Sequence, residues 1–440
     1  MKVAMVTPMS PESAIADVMT QAIPDLSAWW DLEVWCPSEA STRPCPVRVR
    51  PYDHADTDVL NALARYDLAV FVLGDSPWHA RILPLAQRLP GLVVLHDASL
   101  TNLIRHAAIE SDEFELLVRR VEAEFGPESA QILRNPRSVG SPDEWLKFCA
   151  RVPLHDIATE RSLGAVVHSE WHARRVDGRT LGAVTVAPLP VPSTRLGFDA
   201  NQTSTSSRLV QRLPDDALLL VTVGSVNANR RIDLLLQAIA DDDVLSARLH
   251  LWCVGPADDD ARSELLQLAR TLGLQDHFAV AGRVTDTLLQ EILARADIAA
   301  ALRDPVLEGQ SASVLTQLLS GTPVVVFDHA HYSELPDDIA LKVDPEDARE
   351  GLRVALRLLV DDEGERARRG QRARDYVLSE RTAGRYAAAL FEAGERAMAT
   401  KPLTHLSSDI GARLRRLGLN REPAVVEAVT DLSFDLFDLA

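Results

Sequence analysis

Glu308, Ser311 and Ser313 precede a run in which Val314, Leu315, Leu318 and Leu319 recur at helical spacing. Backbone amides at such a helix start, joined by two hydroxyls, make an anion site. N-capping is the plainer use of the same serines, but it does not account for Glu308, Gly309 and Gln310. A carboxylate beside a phosphate is electrostatically awkward unless it accepts hydroxyls of a sugar carried by that phosphate. Arg230 and Arg231 lie in "VGSVNANRRIDLLLQAI", after a strand that ends at Gly224. The arginine fork suits bidentate phosphate binding; two exposed arginines at a helix start are an equally good reading. Gly282, Arg283 and Val284 follow another strand, where backbone groups can meet a nucleobase or simply turn the chain. His96 and Asp97 end the buried strand of "VVLHD". Together they could polarise a hydroxyl, although a histidine satisfied by local backbone is the better reading of that pair alone. His168, in "VVHSEW", ends a strand with a weaker claim.

The elements that must carry these residues alternate. "VAMVTP", "LEVWCP", "LAVFVLG", "GLVVLHD", "GAVVHS" and "AVTVAPLP" read as strands of a first half, and "LLLVTVGS", "RLHLWCVG", "HFAVAGRV", "IAAALR" and "PVVVFD" of a second. Amphipathic stretches such as "RIDLLLQAIA" and "ARSELLQLARTLGL" fall between them. Strands alternating with helices predict parallel sheets covered on both faces. Gly321 is placed to end the helix after Ser313, and Pro323 prevents its continuation. The Pro-, Ser- and Thr-rich stretch between the halves reads as a linker. We therefore expect an α/β chain with an N-terminal Rossmann-like domain at 1–192, a linker at 193–215, a second Rossmann-like domain at 216–380, and C-terminal helices with an acidic tail at 381–440. The arginines of "RARRGQRARDYVLSERTAGR" are expected on a solvated helix face. In doubly wound sheets, ligands bind beyond the carboxyl ends of the strands.

The bulk composition narrows the class. The 440 residues are 46% hydrophobic and 25% charged, as in ordinary globular domains. The formal net charge of −18 argues against nucleic acid or an anionic membrane as the main partner. No apolar run is long enough for a transmembrane anchor, and the first ten residues are too quickly polar for a signal peptide. Cys36, Cys45, Cys149 and Cys253 lack metal-ligand or disulfide spacing. Reduced thiols in a cytoplasmic protein are the expectation. The chain has no GxGxxG after its first strand, no GxxxxGK[ST] and no GxSxG, so dinucleotide oxidoreductase, P-loop and α/β-hydrolase readings lose their main support.

Taken together, these stretches resemble the retaining glycosyltransferases of family 4, which have the GT-B fold: two Rossmann-like domains facing across a cleft, here with a helical C-terminal extension. The likeness runs over nearly the whole chain. It is most specific in "EGQSASVLTQLLSGTPVVVFDHAHYSELP", with Glu334 in the loop beyond the strand. The resemblance implies that Glu308 holds hydroxyls of a donor sugar. It also implies that Gly309, Gln310, Ser311, Ala312 and Ser313 hold the diphosphate with Gly224, Arg230 and Arg231, and that Gly282 to Val284 face the base. His96, with Asp97, would approach the reacting sugar. Three positions depart from the family pattern. Thr316 stands where a second glutamate binds the ribose, Ser225 where an arginine is common, and Ala14 where a glycine is usual. The implied donor is a nucleotide-sugar, UDP- or GDP-linked, used without metal or other cofactor. The acceptor is a hydroxyl on a glycan, lipid-linked glycan, protein or natural product. The departures, with the acidic tail as a contact for a protein partner, also fit a non-catalytic GT-B subunit that stabilises a catalytic one.

Overall fold

The computed structural model describes residues 1–38, 42–53, 58–191, 213–214 and 217–419, with 424, 425 and 428. The expected linker (apart from 213–214) and the acidic tail lie outside the described residues.

Seven parallel strands form the first sheet: β1 (Lys2–Val6), β2 (Asp31–Pro37), β3 (Val49–Tyr52), β4 (Leu68–Leu73), β5 (Leu92–Leu95), β6 (Gly164–Val167) and β7 (Val184–Val186), in the order β3-β2-β1-β4-β5-β6-β7. The second sheet has six: β8 (Leu218–Val223), β9 (Leu249–Val254), β10 (Phe278–Gly282), β11 (Ile298–Ala301), β12 (Val324–Phe327) and β13 (Ala340–Val343), in the order β10-β9-β8-β11-β12-β13. Every described pairing between these strands is parallel. All eleven expected strands form. β3 and β13 are additions at sheet edges, where "VRPY" and "ALKV" mix charge or proline with apolar residues and give no clean pattern.

The unbroken apolar runs follow from burial on both faces. Val3 and Met5 of β1 join a core shared with Met19, Ile23 and Leu26 of the helix Ala14–Trp29, whereas Ala4 and Val6 face a separate core with Phe71 and Leu103. In β8, Leu219 and Val221 face the first of these cores and Leu218 and Leu220 a third. One apolar cluster thus runs through both domains.

Strand order reverses between β1 and β4 in one sheet and between β8 and β11 in the other. Loops leaving these strands part in opposite directions and open a crevice at each carboxyl end. The helix Ala312–Leu319 ends as expected, with Gly321 left-handed at φ +79° just after it.

The helix Glu363–Glu380 stays on the second domain, and the helix Ala383–Arg416 returns to the first, against Ala14–Trp29. Tyr386 is fully buried there, and its hydroxyl donates to Met19 Sδ at 3.4 Å. Of the arginines expected on a solvated face, Arg368, Arg372 and Arg385 are exposed, whereas Arg374 donates to the Leu319 carbonyl (2.7 Å) and Arg369 to that of Asp337 (2.6 Å). Long planar donors satisfy helix-end and loop carbonyls that apolar neighbours cannot.

Candidate active site

The two domains meet along a backbone seam. Gly309 N–H donates to the His96 carbonyl and Ala98 N–H to the Leu307 carbonyl, both at 2.8 Å, so that Asp97 and Glu308 form an antiparallel bridge. Ser169 Oγ donates to the Gly309 carbonyl at 2.8 Å. The glycine is required sterically, because a Cβ at 309 would lie 2.4 Å from His172 Nδ1 and 3.0 Å from the His96 oxygen. From the second domain, the Glu334 carboxylate accepts Glu170 N–H (3.0 Å) and Trp171 N–H (2.5 Å), covering the start of the helix Glu170–Val176. The sequence reading brought Glu308 and His96 to facing sides; the structure puts their backbones in register.

Glu308 sits 16% exposed, with Arg303 Nε 3.2 Å from its Oε1. Tyr332 Oη donates to the same oxygen at 3.1 Å, and His331 Nε2 lies 4.0 Å from it. Burial pushes the Glu308 carboxyl up, but Arg303 and then His331 outweigh it and hold the group well below the usual carboxylate range. Arg303 follows β11 and is fixed by a bond from its Nη1 to Asn229 Oδ1 (2.9 Å). The sequence reading missed both Arg303 and Tyr332. "ALRDP" reads as the end of a strand, and "HYSE" carries no period.

Arg230 is buried, not exposed. It is 4% exposed, donates from Nη1 to the Val223 carbonyl at 2.7 Å, and keeps an unpartnered Nε. Its guanidinium fills the space over Gly224, whose φ is +123° and whose Cβ would lie 1.7 Å from Nη2. Burial, and then the neighbouring Arg303, push the Arg230 guanidinium down to about 10, so it remains charged at neutral pH. Of the two guanidiniums, Arg303 alone contacts Glu308, and Arg230 lies near enough to feel both charges. Arg231 does not join them. It is left-handed (φ +48°) and pairs with Asp304 (3.2 Å) and Asp233 (3.4 Å), which neutralises it.

The serines do not cap. Ser311 holds the N-cap position of Ala312–Leu319 without a capping bond, and its hydroxyl meets that of Ser313 at 3.1 Å. The helix amides are thus left without a side-chain acceptor. Thr316, at the position of the expected ribose contact, spends its hydroxyl on the Ala312 carbonyl (3.0 Å). Gln310 ties the donor loop to two other segments: its Oε1 accepts Leu189 N–H (3.2 Å) and Arg381 Nη1 (3.0 Å). Ser225 and Arg283 are exposed and Val284 half-buried at the ends of β8 and β10. Gly282 is left-handed (φ +71°) with open space around it. Among the described residues, no hydrogen bond joins Gly282, Arg283 or Val284 to the Glu308 cluster. Ala14 begins the helix Ala14–Trp29 and is exposed.

His96 and Asp97 part company. His96 Nδ1 meets His168 Nε2 at 3.1 Å rather than local backbone, and His96 Nε2 has no partner. Burial, and then the nearby His168, hold the His96 ring well below its ordinary range, hence neutral. His168, which had the weaker claim, thus supports the residue with the stronger one. Asp97 Oδ2 accepts Asp75 N–H at 2.6 Å. Burial, and then the Asp75 carboxylate, push Asp97 up to about 7. Among the described residues no group of three or more His, Cys, Asp or Glu could hold a metal ion, and no helix is long and apolar enough to cross a membrane. None of the four cysteines forms a disulfide.

Residues 217–362 match the family model for Glycosyl transferases group 1. No curated protein matches the sequence. Among solved structures, the chain is similar to WaaG, a glycosyltransferase involved in lipopolysaccharide biosynthesis, at 16% identity and TM-score 0.57 over 90% of this chain and 99% of that one. It is similar to the sucrose-phosphate synthase of Thermosynechococcus elongatus at 14% identity and TM-score 0.59, with 90% and 99% covered. For Anabaena Alr3699/HepE in complex with UDP and glucose the values are 15%, 0.58, 89% and 98%. At these identities the likeness is one of fold.

Proposed function

We propose that this GT-B chain, whose residues 217–362 form a group 1 glycosyl transferase domain, moves a sugar from a nucleotide-sugar to a hydroxyl acceptor. The observation that carries the reading is the pair of guanidiniums, Arg230 and Arg303, gathered with one carboxylate beside the uncapped helix start at Ser311. A buried excess of positive charge next to free helix amides suits a diphosphate leaving group. Arg230, the amides and the Ser311 and Ser313 hydroxyls would neutralise the charge that develops on the departing diphosphate, which is electrostatic catalysis by fixed groups. Arg303, Tyr332 and His331 all approach Oε1 of Glu308, which leaves Oε2 as the oxygen to orient a donor hydroxyl. Neutral His96 and Asp97 lie across the seam, on the acceptor side.

In this reading the donor is a UDP- or GDP-sugar, as suggested by the UDP-glucose complex of HepE, and arginines neutralise the diphosphate in place of a metal. The transfer retains anomeric configuration, with a diphosphate oxygen taking the incoming hydroxyl's proton on the same face. Calorimetric titration with UDP, GDP, ADP, dTDP and CMP tests this. Binding of one nucleotide, lost in Arg230→Ala and Arg303→Ala variants that still fold, is expected; no binding of any would refute it. The buried Thr316 hydroxyl, spent within its own helix, favours the second reading, a non-catalytic partner subunit. That reading predicts the refuting result.

A further inference from the structure

Among the described residues, His79, His96, His155, His168, His172 and His331 are buried. His79, His96, His155 and His168 each make a hydrogen bond through a ring nitrogen, and His331 faces Glu308. His172 has neither. It is 0% exposed, and both of its ring nitrogens are without a partner.

Its position explains the isolation. Ser169 Oγ accepts the His172 N–H at 3.2 Å and so starts the helix Glu170–Val176. The ring closes against Gly309 of the other domain so tightly that a Cβ there would lie 3.0 Å from Cε1 as well as 2.4 Å from Nδ1. Four successive residues thus carry the contact: Ser169 and His172 meet Gly309, and the amides of Glu170 and Trp171 meet Glu334.

Nothing around the ring would receive a positive charge. His168 and His155 of its own domain, Arg175 of its own helix and His331 across the seam all oppose a proton there. The carboxylates of the facing elements are engaged, Glu308 by Arg303 and Tyr332 and Glu334 by the two amides. Asp156, beside His155, pairs with Arg120 at 2.6 Å. Glu170 and Arg174, on the same helix, are exposed. Burial, and then His168, hold the ring well below its ordinary range, so the closed seam carries it neutral.

We propose that the seam is a latch released by protons: charging the His172 ring parts the two halves. In the closed form an imidazolium would be buried without an acceptor, which is costly. Once Gly309 withdraws, water reaches both nitrogens and the ring titrates near its ordinary value of about 6.5. The open form therefore binds a proton that the closed form rejects, and the ratio of open to closed rises as pH falls. One such histidine raises it about tenfold between about pH 7.5 and 5.5. Asp97, on the same seam, acts in the opposite sense, because its buried carboxyl takes up a proton. The latch does not depend on sugar transfer.

The test is amide hydrogen exchange on the full chain, scaled at each pH to an unstructured peptide and run in Asp97→Asn to remove the opposing group. Glu170 and Trp171 report on the seam, since their acceptor comes from the other domain. Their protection should fall about tenfold from about pH 7.5 to 5.5, while that of β8 stays constant. Small-angle scattering from the same samples should show the radius of gyration rising over that range. His172→Gln and His172→Phe cannot charge, and each should hold the protection level; either one that folds suffices. Glu334→Gln should keep the fall, because the imidazole and not the carboxylate drives it. Level protection in the Asp97→Asn protein, a fall that persists without His172, a fall lost in Glu334→Gln, or a matching fall in β8 would overturn the proposal.

Discussion

Replacing Arg303 by Met removes a buried charge and keeps the aliphatic stem. At the 3.2 Å between Arg303 Nε and Glu308 Oε1, an effective dielectric constant near 20 gives a gross attraction of about 5 kcal/mol. Desolvation of both groups, each about 15% exposed, offsets part of it. Removing one partner strands the Glu308 carboxylate, for which about 3 kcal/mol is the expected loss. Glu308→Gln strands the arginine instead, at similar cost. The double variant strands neither charge, so with a coupling of about 2 kcal/mol its loss should be about 4 kcal/mol, short of the roughly 6 that independent sites would give. With a urea m-value near 3 kcal/mol/M for a domain of this size, each single variant should move the donor-domain midpoint down by about 1 M. Because Arg303 holds the folded Glu308 carboxyl below its unfolded value, the stabilisation is present above about pH 4.5 and fades only as pH falls toward the folded value. Losses that simply add in the double variant would refute the buried pair.

Asp97, raised to about 7, binds a proton in the folded state that the unfolded chain has lost. Stability therefore declines as pH rises from about 4 to 7 and is level above. Asp97→Asn should flatten that decline in urea titrations, and should lower kcat/KM by 10²-fold or more if the carboxylate takes part in transfer. Gly309→Ala should cost about 1–3 kcal/mol by driving a Cβ into His172, read as a lower unfolding midpoint. Glu334→Ala strips the carboxylate from the amides of Glu170 and Trp171. A loss of about 1 kcal/mol should speed hydrogen exchange there about fivefold, while exchange in β8 is unchanged.

The fold was legible because strands buried on both faces read as short apolar runs, as in "LAVFVL" and "LLLVTV". The edge strands β3 and β13 were not: Arg50 and Pro51 break the pattern of β3, and pairing with β2 alone decides it. Within the site, residues that depend on local order were found, such as Glu308 and the helix start it precedes. Those that depend on two chain segments meeting were not. Arg303 shares a loop with Glu308, but Arg230 and Tyr332 arrive from the loops after β8 and β12, and only the fold brings them together. The sequence left Arg230 open between phosphate binding and exposure because a polar loop surrounds it, whereas the gap over Gly224 buries it. Gln310 looked like a ligand contact and is a bracket between Leu189 and Arg381.

That bracket bears on how the halves can move. Val191 N–H donates to the Arg381 carbonyl at 3.1 Å, where the chain returns from the helix Glu363–Glu380 on the second domain to the helix Ala383–Arg416 on the first. The Arg381 guanidinium also holds Gln310, two residues from Glu308. A shift of the returning chain at Arg381 is therefore passed to the Glu308 loop through a single side chain.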